Sequence, residues 1–214
     1  FPAGNSGVQM AGWFNKEIHS LEDLRGLKMR IPGLGGEVMR RAGASPVNLP
    51  GGEIYTSLQT GVVDASEWVG PYNDLAFALH EVAEFYHYPG WHEPGAVLEA
   101  IVNRDAFEAL PEDLQAIVDV AWRAVNQDVL DEFTARNHKA LQTLTERHGT
   151  KLRRLPKAVL DQLREISAEV VREAISPNDD LGQRILKSYT DFQSSVQEYH
   201  DVSEAAYLRV RQSE

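Results

Sequence analysis

Short strands alternate with single short helices through the first two-fifths of the sequence, and this alternation constrains the fold more than any other feature. Residues 27–31 alternate at period two and end at Pro32-Gly33, as a strand that leads into a turn does. The same reasoning predicts a helix, a strand, a helix and a strand in turn at 36–42, 46–49, 53–60 and 62–65. Strands spaced by single helices indicate βαβ units and an α/β fold with a mainly parallel sheet.

Longer helices are predicted in the second half of the chain. Two further strands, at 82–88 and 95–103, precede a helix that Pro111 opens, and apolar residues keep helical spacing from there toward Gly149. The remaining predicted elements are a strand and two helices, at 151–155, at 156–175 and from Asp180 onward.

The last predicted helix carries a heptad-like apolar seam. Its members follow one another at alternating steps of four and three residues: Ile185, Tyr189, Phe192, Val196, Tyr199, Ser203, Ala206 and Val210. A seam of this length needs a long surface to cover it. Packing along its own chain and packing against a second subunit both meet that need.

Composition excludes several classes of function. The 214 residues include no cysteine, which excludes disulfides, thiolate metal sites and thiol nucleophiles. The formal net charge of −11 argues against a nucleic-acid partner, because such a surface does not neutralise phosphates. No apolar run approaches the roughly 18 residues that a membrane-spanning helix needs. The sequence also contains no HExxH, GxSxG or Walker motif.

The glycine-rich segment 32–36 (Pro-Gly-Leu-Gly-Gly) lies between a predicted strand and a predicted helix. Backbone amides at such a point can cradle an anion. The segment does not match GxGxxG, and no acidic residue follows at the ribose-binding position. We therefore expect no dinucleotide here and interpret the glycines as structural.

Arg30 lies near the carboxyl end of a predicted strand, directly before that turn. Open α/β sheets hold their ligands at this position, and arginine is the side chain that matches a carboxylate with two parallel hydrogen bonds. The position is therefore compatible with a carboxylate ligand. From position alone, however, an exposed arginine in a surface ion pair is the favoured interpretation.

Two aromatic-flanked carboxylates form a second candidate group, at 67–68 (Glu-Trp) and 91–93 (Trp-His-Glu). Carboxylates beside apolar rings need a cation or hydrogen bonds, and oxygen ligands favour sodium, calcium or magnesium over zinc. From spacing alone, solvated glutamates are the favoured interpretation. We expect His87 and His92 to be hydrogen-bonded or surface histidines rather than zinc ligands.

Several segments, taken in order, resemble the solute-binding proteins of tripartite ATP-independent periplasmic (TRAP) transporters. The similarity is greatest to the branch that binds 2-oxo acids such as pyruvate, or lactate, with a metal ion. It covers essentially the whole chain, and 52–64 (GEIYTSLQTGVVD) is the most specific part. The segments that carry the resemblance are 7–14 (GVQMAGWF), 21–32, 51–65 and 67–68.

The resemblance implies a role for individual residues. Arg30 matches the family arginine that pairs with the substrate carboxylate, and Tyr72 and Asn73 follow closely enough to line the pocket. The positions that match the ligands of the metal ion, sodium or calcium, are Gln9, Glu67, Trp68 through its backbone carbonyl, and Glu93. By the same resemblance, Gln9 and Trp68 also lie against the substrate.

The resemblance further implies a periplasmic-binding-protein-like fold of two hinged lobes, with a mixed sheet flanked by helices and no covalent chemistry. Family members are roughly half as long again, and their amino-terminal lobe precedes the segment with which this sequence begins. We expect the second lobe at 1–66 and 96–175, and a segment crossing to the hinge and first lobe at 67–95. Residues 176–214 are then a long carboxyl-terminal helix.

For partners, the resemblance implies a periplasmic protein that delivers its ligand to the TRAP membrane permease, and a homodimer through the terminal helix. Two other classes of function stay open on the residues alone. One is a metal-dependent lyase or hydrolase with Glu67 or Glu93 as the base, although no nucleophile–base pair is recognisable. The other is a helical oligomerisation or sensory module.

Overall fold

The computed structural model describes residues 1–211, which divide into two compact units, Phe1–Ser167 and a second unit that begins at Ala168. The strands are β1 Pro2–Asn5, β2 Gly12–Phe14, β3 Lys28–Arg30, β4 Ser45–Val47, β5 Ala65–Ser66, β6 Phe85–Tyr88, β7 Val97–Glu99 and β8 Lys151–Arg154. The helices are α1 Gly33–Arg41, α2 Ile54–Gln59, α3 Pro71–Ala76, α4 Arg104–Glu108, α5 Glu112–Gln142, α6 Lys157–Glu173, α7 Asp180–Val202 and α8 Glu204–Arg211. The predicted α/β class, with helices around a mixed sheet, is confirmed.

Six strands form the main sheet, in the order β4-β3-β5-β2-β6-β8. β3 pairs in parallel with β4 and β5, and β6 pairs in parallel with β8, whereas β2 is antiparallel to both of its neighbours. The expectation of a mainly parallel sheet is therefore confirmed for five of the six strands, and β2, which was not predicted, is the exception. β2 is buried along its whole length, so it shows no alternation by which the sequence could reveal a strand. β6, which lies within 67–95, belongs to this sheet.

Several helices and strands begin or end at other residues than the sequence predicted. α1 begins at Gly33, so the glycine-rich segment forms the first turn of the helix rather than a separate turn. A Cβ at Gly36 would lie 2.8 Å from the carbonyl oxygen of Ile31, which explains a glycine there by close backbone approach. β5 begins at Ala65, three residues later than predicted. Of the strand predicted at 95–103, only Val97–Glu99 pairs with another strand.

A second, two-stranded sheet joins β1 to β7 in antiparallel register, with Asn5 opposite Val97. The long helix α5 packs against β1 so closely that a Cβ at Gly4 would lie 2.9 Å from Cγ1 of Val129. One π-helical turn, Thr143–Arg147, continues α5, so the prediction of helix from Pro111 toward Gly149 is confirmed.

The core of the first unit surrounds a stacked aromatic pair. The rings of Trp13 and Tyr86 are 4.1 Å apart and nearly parallel, and both side chains are fully buried. Buried aliphatic residues complete this cluster: Ile54, Leu58, Val63, Leu79, Ala83 and Leu144. Burial of large aromatic and aliphatic side chains is the dominant stabilising term for such a sheet, at roughly 25 cal/mol per Å² of apolar surface.

In the second unit, the single helix predicted from Asp180 is two helices. Ser203 leaves helical geometry, with φ −110° and ψ −102°, and so separates α7 from α8. The predicted seam is continuous only within α7, where Ile185, Tyr189, Phe192 and Tyr199 are 57–69% exposed. The last three residues of the predicted 176–214 helix lie outside the described residues. Among the described helices, none is both long enough and apolar enough to cross a membrane.

Candidate functional site

Two adjacent strand ends bring Arg30 and Glu67 together. β3 and β5 run in parallel with Arg30 opposite Ser66, and the backbone N–H of Glu67 donates to the carbonyl oxygen of Arg30 at 3.2 Å. The Arg30 Nη1 donates to Glu67 Oε1, and the two side chains are only 10% and 7% exposed. Arg30 is thus buried and paired with a proposed cation ligand, which contradicts the interpretation of an exposed surface arginine.

The rest of the Arg30 side chain is held from two directions. Its Nε donates to the carbonyl oxygen of Leu49 at 3.1 Å, and its guanidinium carbon lies 5.6 Å from the centre of the Trp68 ring. That ring passes over Gly51, where a Cβ would come within 2.6 Å of it. Gly51 therefore makes room for the tryptophan that covers the arginine.

Gln9 reaches the same region from the segment between β1 and β2. Its N–H donates to the carbonyl oxygen of Glu93 at 3.2 Å, and its own carbonyl oxygen accepts from the N–H of Gly90 at 3.1 Å. Its side-chain Nε2 donates to Glu93 Oε2 at 2.6 Å, while Oε1 is buried with no hydrogen-bond partner. A Cβ on Gly90 would collide with the carbonyl oxygen of Gln9, so glycine is needed for this approach.

His92 corrects a prediction. Its side chain is 6% exposed, and neither ring nitrogen has a hydrogen-bond partner. Nε2 is 3.6 Å from Glu67 Oε2, too long for a hydrogen bond. His92 is therefore neither a hydrogen-bonded nor a surface histidine. By contrast, His87 is buried in β6 and its Nε2 accepts from the N–H of Ile18 at 3.3 Å, as expected.

A cavity of about 270 Å³ brings the charged side chains and the glycine-rich turn together. Its walls come from the start of α1 and from the loop that follows β6. The residues that line it are Ile31, Pro32, Gly33, Leu34, Gly35, Glu67, His92 and Glu93. The segment 32–36, interpreted above as purely structural, therefore also forms a wall of the site.

The donor set fits a cation that prefers oxygen. Gln9 Oε1 is a buried acceptor without a donor, and the carboxylates of Glu67 and Glu93 border the same cavity. Amide, carboxylate and backbone carbonyl oxygens are the ligands of sodium and calcium. Within residues 1–211, no group of three or more His, Cys, Asp or Glu side chains is placed to hold a metal ion, so the carboxylates of Glu67 and Glu93 would not hold one by themselves.

Tyr72 contacts α5, and the backbone of Asn73 forms part of α3. The Tyr72 hydroxyl donates to Glu132 on α5 at 3.1 Å, and its ring packs edge-on against Phe133. The carbonyl oxygen of Asn73 accepts from the N–H of Phe77 within α3 and the turn after it. Within the described residues, no hydrogen bond or ion pair connects either side chain to Arg30.

A buried carboxylate that the sequence analysis missed fixes the segment after Trp68. Asp74 accepts hydrogen bonds from Trp13 Nε1 at 2.9 Å, from the Tyr86 hydroxyl at 2.7 Å, and from the N–H groups of Val69 and Gly70. Burial raises the pKa of Asp74 to about 6, because desolvation of the charged form outweighs these hydrogen bonds. Its signal in the sequence is the run Gly-Pro-x-x-Asp, in which an acid four residues into a turn can bind the preceding amides.

This geometry can be compared with that of known proteins. The DctP family model, described as bacterial extracellular solute-binding protein, family 7, matches residues 1–178. The chain belongs to this family. Its members are solute-binding proteins, and the TRAP resemblance in the sequence is confirmed.

Relatives of this family 7 chain bind small carboxylates. A monocarboxylate 2-oxoacid-binding periplasmic protein of Nostoc sp. (strain PCC 7120) is 43% identical over 207 residues, 97% of this chain and 56% of that protein. A TRAP periplasmic solute-binding protein from Colwellia psychrerythraea, solved with bound calcium and pyruvate, has a TM-score of 0.92 and 42% identity over 98% of this chain and 63% of that one. Another TRAP periplasmic solute-binding protein, from Pseudoalteromonas atlantica T6c and solved with bound sodium and pyruvate, has a TM-score of 0.91 and 42% identity over 98% of this chain and 63% of that one. The chain thus spans about half to two-thirds of these proteins.

Proposed function

We propose that this chain is the ligand-binding part of a TRAP transporter receptor that captures a small monocarboxylate, a 2-oxo acid such as pyruvate or a related acid such as lactate, together with sodium or calcium. The receptor acts outside the cytoplasm, in the periplasm, and delivers the ligand to the membrane permease of the transporter. The single observation that carries the proposal is the buried Arg30–Glu67 pair, whose glutamate lines a small cavity. The 2-oxoacid relatives support the choice of ligand.

Each side chain of the site has a separate role in this proposal. The Arg30 guanidinium binds the ligand carboxylate, because its planar donors match two carboxylate oxygens. Gln9 Oε1, Glu67, Glu93 and the Trp68 carbonyl hold the cation, which when bound supplies positive charge for the remaining ligand oxygens. Residues 1–66 and 96–175 form the second lobe, and 67–95 crosses toward the first.

Receptor and enzyme make different predictions for the same carboxylates. A lyase or hydrolase would turn its substrate over, whereas a receptor binds it stoichiometrically and releases it unchanged. No covalent step is needed in the receptor, since closure around a ligand follows from contacts that are better in the closed state. We propose that Glu67 and Glu93 act only as ligands of the cation and not as catalytic bases.

Isothermal titration of the protein expressed from its complete gene tests the proposal. Pyruvate is titrated in buffer freed of sodium and calcium by a chelating resin, and again with each cation added. One-to-one binding that depends on the cation, with pyruvate unchanged by NMR afterwards, is the expected result. Absence of heat with every small carboxylate, or consumption of pyruvate, would contradict it.

Arg30→Lys is the sharper variant for this test. It keeps a positive charge beside Glu67 but loses the planar fork, so we expect pyruvate affinity to fall at least about tenfold while the fold is retained. Arg30→Ala would also leave the Glu67 carboxylate buried and unpaired, at a cost of roughly 3–5 kcal/mol of stability. Wild-type affinity in Arg30→Lys would exclude the assigned role.

A further inference from the structure

The buried imidazole of His92 has hydrogen-bonding capacity that the protein itself leaves unused. Its side chain is 6% exposed, and both Nδ1 and Nε2 are buried without a partner. An imidazole carries at least one N–H in either protonation state, and an unsatisfied buried donor costs about 1–3 kcal/mol. Native proteins leave few such groups, so this one calls for a partner that arrives from outside the chain.

The surroundings of the ring restrict what that partner can be. On one side the ring of Trp91 packs edge-on, with centroids 5.4 Å apart, and offers no acceptor oxygen to the imidazole. On the other side Glu67 Oε2 is 3.6 Å away, and Glu67 is already paired with Arg30 through Oε1. The ring borders the cavity of about 270 Å³ that Glu67 and Glu93 also line. The residue with the unused donor therefore lines the space where the ligand is proposed to bind.

The cation and the carboxylate, the two proposed ligands of the site, differ in whether they need His92 as a partner. Sodium and calcium prefer oxygen ligands, so an imidazole beside two carboxylates is not needed to hold either ion. A 2-oxo acid presents three oxygens that accept hydrogen bonds, and a single guanidinium satisfies two of them at most. The third lacks a donor from Arg30.

We infer that His92 is a further ligand-binding residue, whose ring N–H donates a hydrogen bond to an oxygen of the bound carboxylate. This inference rests on the proposed function, because the acceptor belongs to the proposed ligand. It gives the site a second side-chain donor beside Arg30, on a different loop of the fold. It also explains why the buried ring of His92 has no hydrogen-bond partner, although Trp91 is its neighbour and Glu67, which is paired with Arg30, is close by.

Two substitutions test the inference in titrations of the complete protein with pyruvate at saturating calcium. His92→Leu removes the donor, and we expect affinity to fall about 10- to 100-fold, the effect of losing a hydrogen bond to a charged group. His92→Gln keeps an N–H donor and is expected to retain most of the affinity. His138→Leu, at an exposed histidine of α5, is the matched control and should leave affinity unchanged.

A structural role or a cation-binding role would give different results. Calcium affinity without pyruvate should be equal in the wild type and His92→Leu, and thermal stability without ligand should not fall, since the leucine replaces an unsatisfied polar group. Equal losses of pyruvate affinity in His92→Leu and His92→Gln, a loss of calcium affinity, or wild-type binding in His92→Leu would each overturn the inference. If the wild type itself binds no carboxylate, the proposed function fails instead.

A second ligand shows which oxygen is involved. Propanoate has the carboxylate of pyruvate but lacks its 2-oxo oxygen. If His92 binds the 2-oxo oxygen, His92→Leu should weaken pyruvate binding and leave propanoate binding unchanged. A parallel loss for both acids would assign the hydrogen bond to the carboxylate, which the inference also allows.

Discussion

Arg30 and Glu67 are assigned to different guests, yet in the described structure they neutralise each other. Both side chains are almost fully buried, and a buried ion pair is strongly favoured over either charge alone. A ligand carboxylate that approaches Arg30 must therefore compete with a carboxylate of the protein. Binding of the cation by Glu67 and of the anion by Arg30 should for this reason be positively coupled, and the coupling must be reciprocal.

Glu67→Gln tests this competition directly. The amide removes the internal negative charge, so in buffer freed of cations we expect the variant to bind pyruvate roughly tenfold or more tightly than the wild type. A chelating resin is used rather than a soluble chelator, because the latter is itself a carboxylate. The measurement is isothermal titration, and the variant should at the same time bind calcium more weakly.

Glu93→Gln is the matched control for that prediction. Glu93 is hydrogen-bonded to Gln9 and has no ion pair with Arg30 in the described structure. Its substitution should weaken calcium binding without any gain in cation-free pyruvate binding. If both variants gain equally, or neither gains, Glu67 does not compete with the ligand for Arg30.

At the scale of elements, α7 has an exposed apolar seam that the fold of the described residues does not explain. Within this helix, large side chains repeat at the four-and-three spacing while remaining mostly exposed, as at Tyr189 and Phe192. Contiguous exposed apolar surface marks interaction sites more often than single exposed residues do. We propose that α7 associates with a second copy of the chain, which is the homodimer that the resemblance implies.

Phe192→Glu is expected to convert the dimer to a monomer, because a charge at the centre of an apolar seam has no partner there. Light scattering of the complete protein gives the mass of each variant. Ser194→Glu places the same charge away from the seam and should leave the dimer intact. A wild-type protein with a monomeric mass, or a dimer that survives Phe192→Glu, would exclude this role of α7.

At the scale of the whole molecule, two buried groups give stability opposite dependences on pH. Burial raises the pKa of Asp74 to about 6 and lowers the pKa of His87 to about 4. Between those values the native state binds more protons than the unfolded state at Asp74 and fewer at His87. The Asp74 contribution therefore falls as pH rises from about 4 to 6, and the His87 contribution rises over the same range, each by about 3 kcal/mol.

Single substitutions separate the two contributions. Relative to the wild type, Asp74→Asn should make the free energy of unfolding rise more steeply between pH 4 and 6, because the His87 contribution is then unopposed. His87→Gln should make it rise less steeply or fall. Urea unfolding at pH 4, 5 and 6 measures these slopes. Comparison with the wild type removes the pH dependence that all other titratable groups contribute. Parallel curves for the three proteins would contradict both pKa shifts.

Local patterns in the sequence determined most of the elements. Period-two alternation identified β3, helical spacing identified α5, and Pro156 marked the start of α6. The role of Arg30 toward a carboxylate came from the family resemblance, since its position alone favoured a surface ion pair. The inferences about elements succeed because they depend on residues close together in the chain, whose periodicity reports which face is buried. The break of the last helix at Ser203 was missed because the apolar spacing continues through it, and the start of α1 at Gly33 was missed because Pro32-Gly33 was interpreted as a turn.

Only the tertiary structure decided what depends on residues far apart in sequence. The antiparallel insertion of β2, the pairing of Arg30 with Glu67 and the unsatisfied ring of His92 each join segments separated by tens of residues. The sequence alone indicated His92 as an ordinary histidine, because burial and the absence of a partner are properties of packing rather than of spacing. Residue types and the family resemblance therefore indicated the kind of ligand that we propose, whereas packing determined which side chains remain free to bind it.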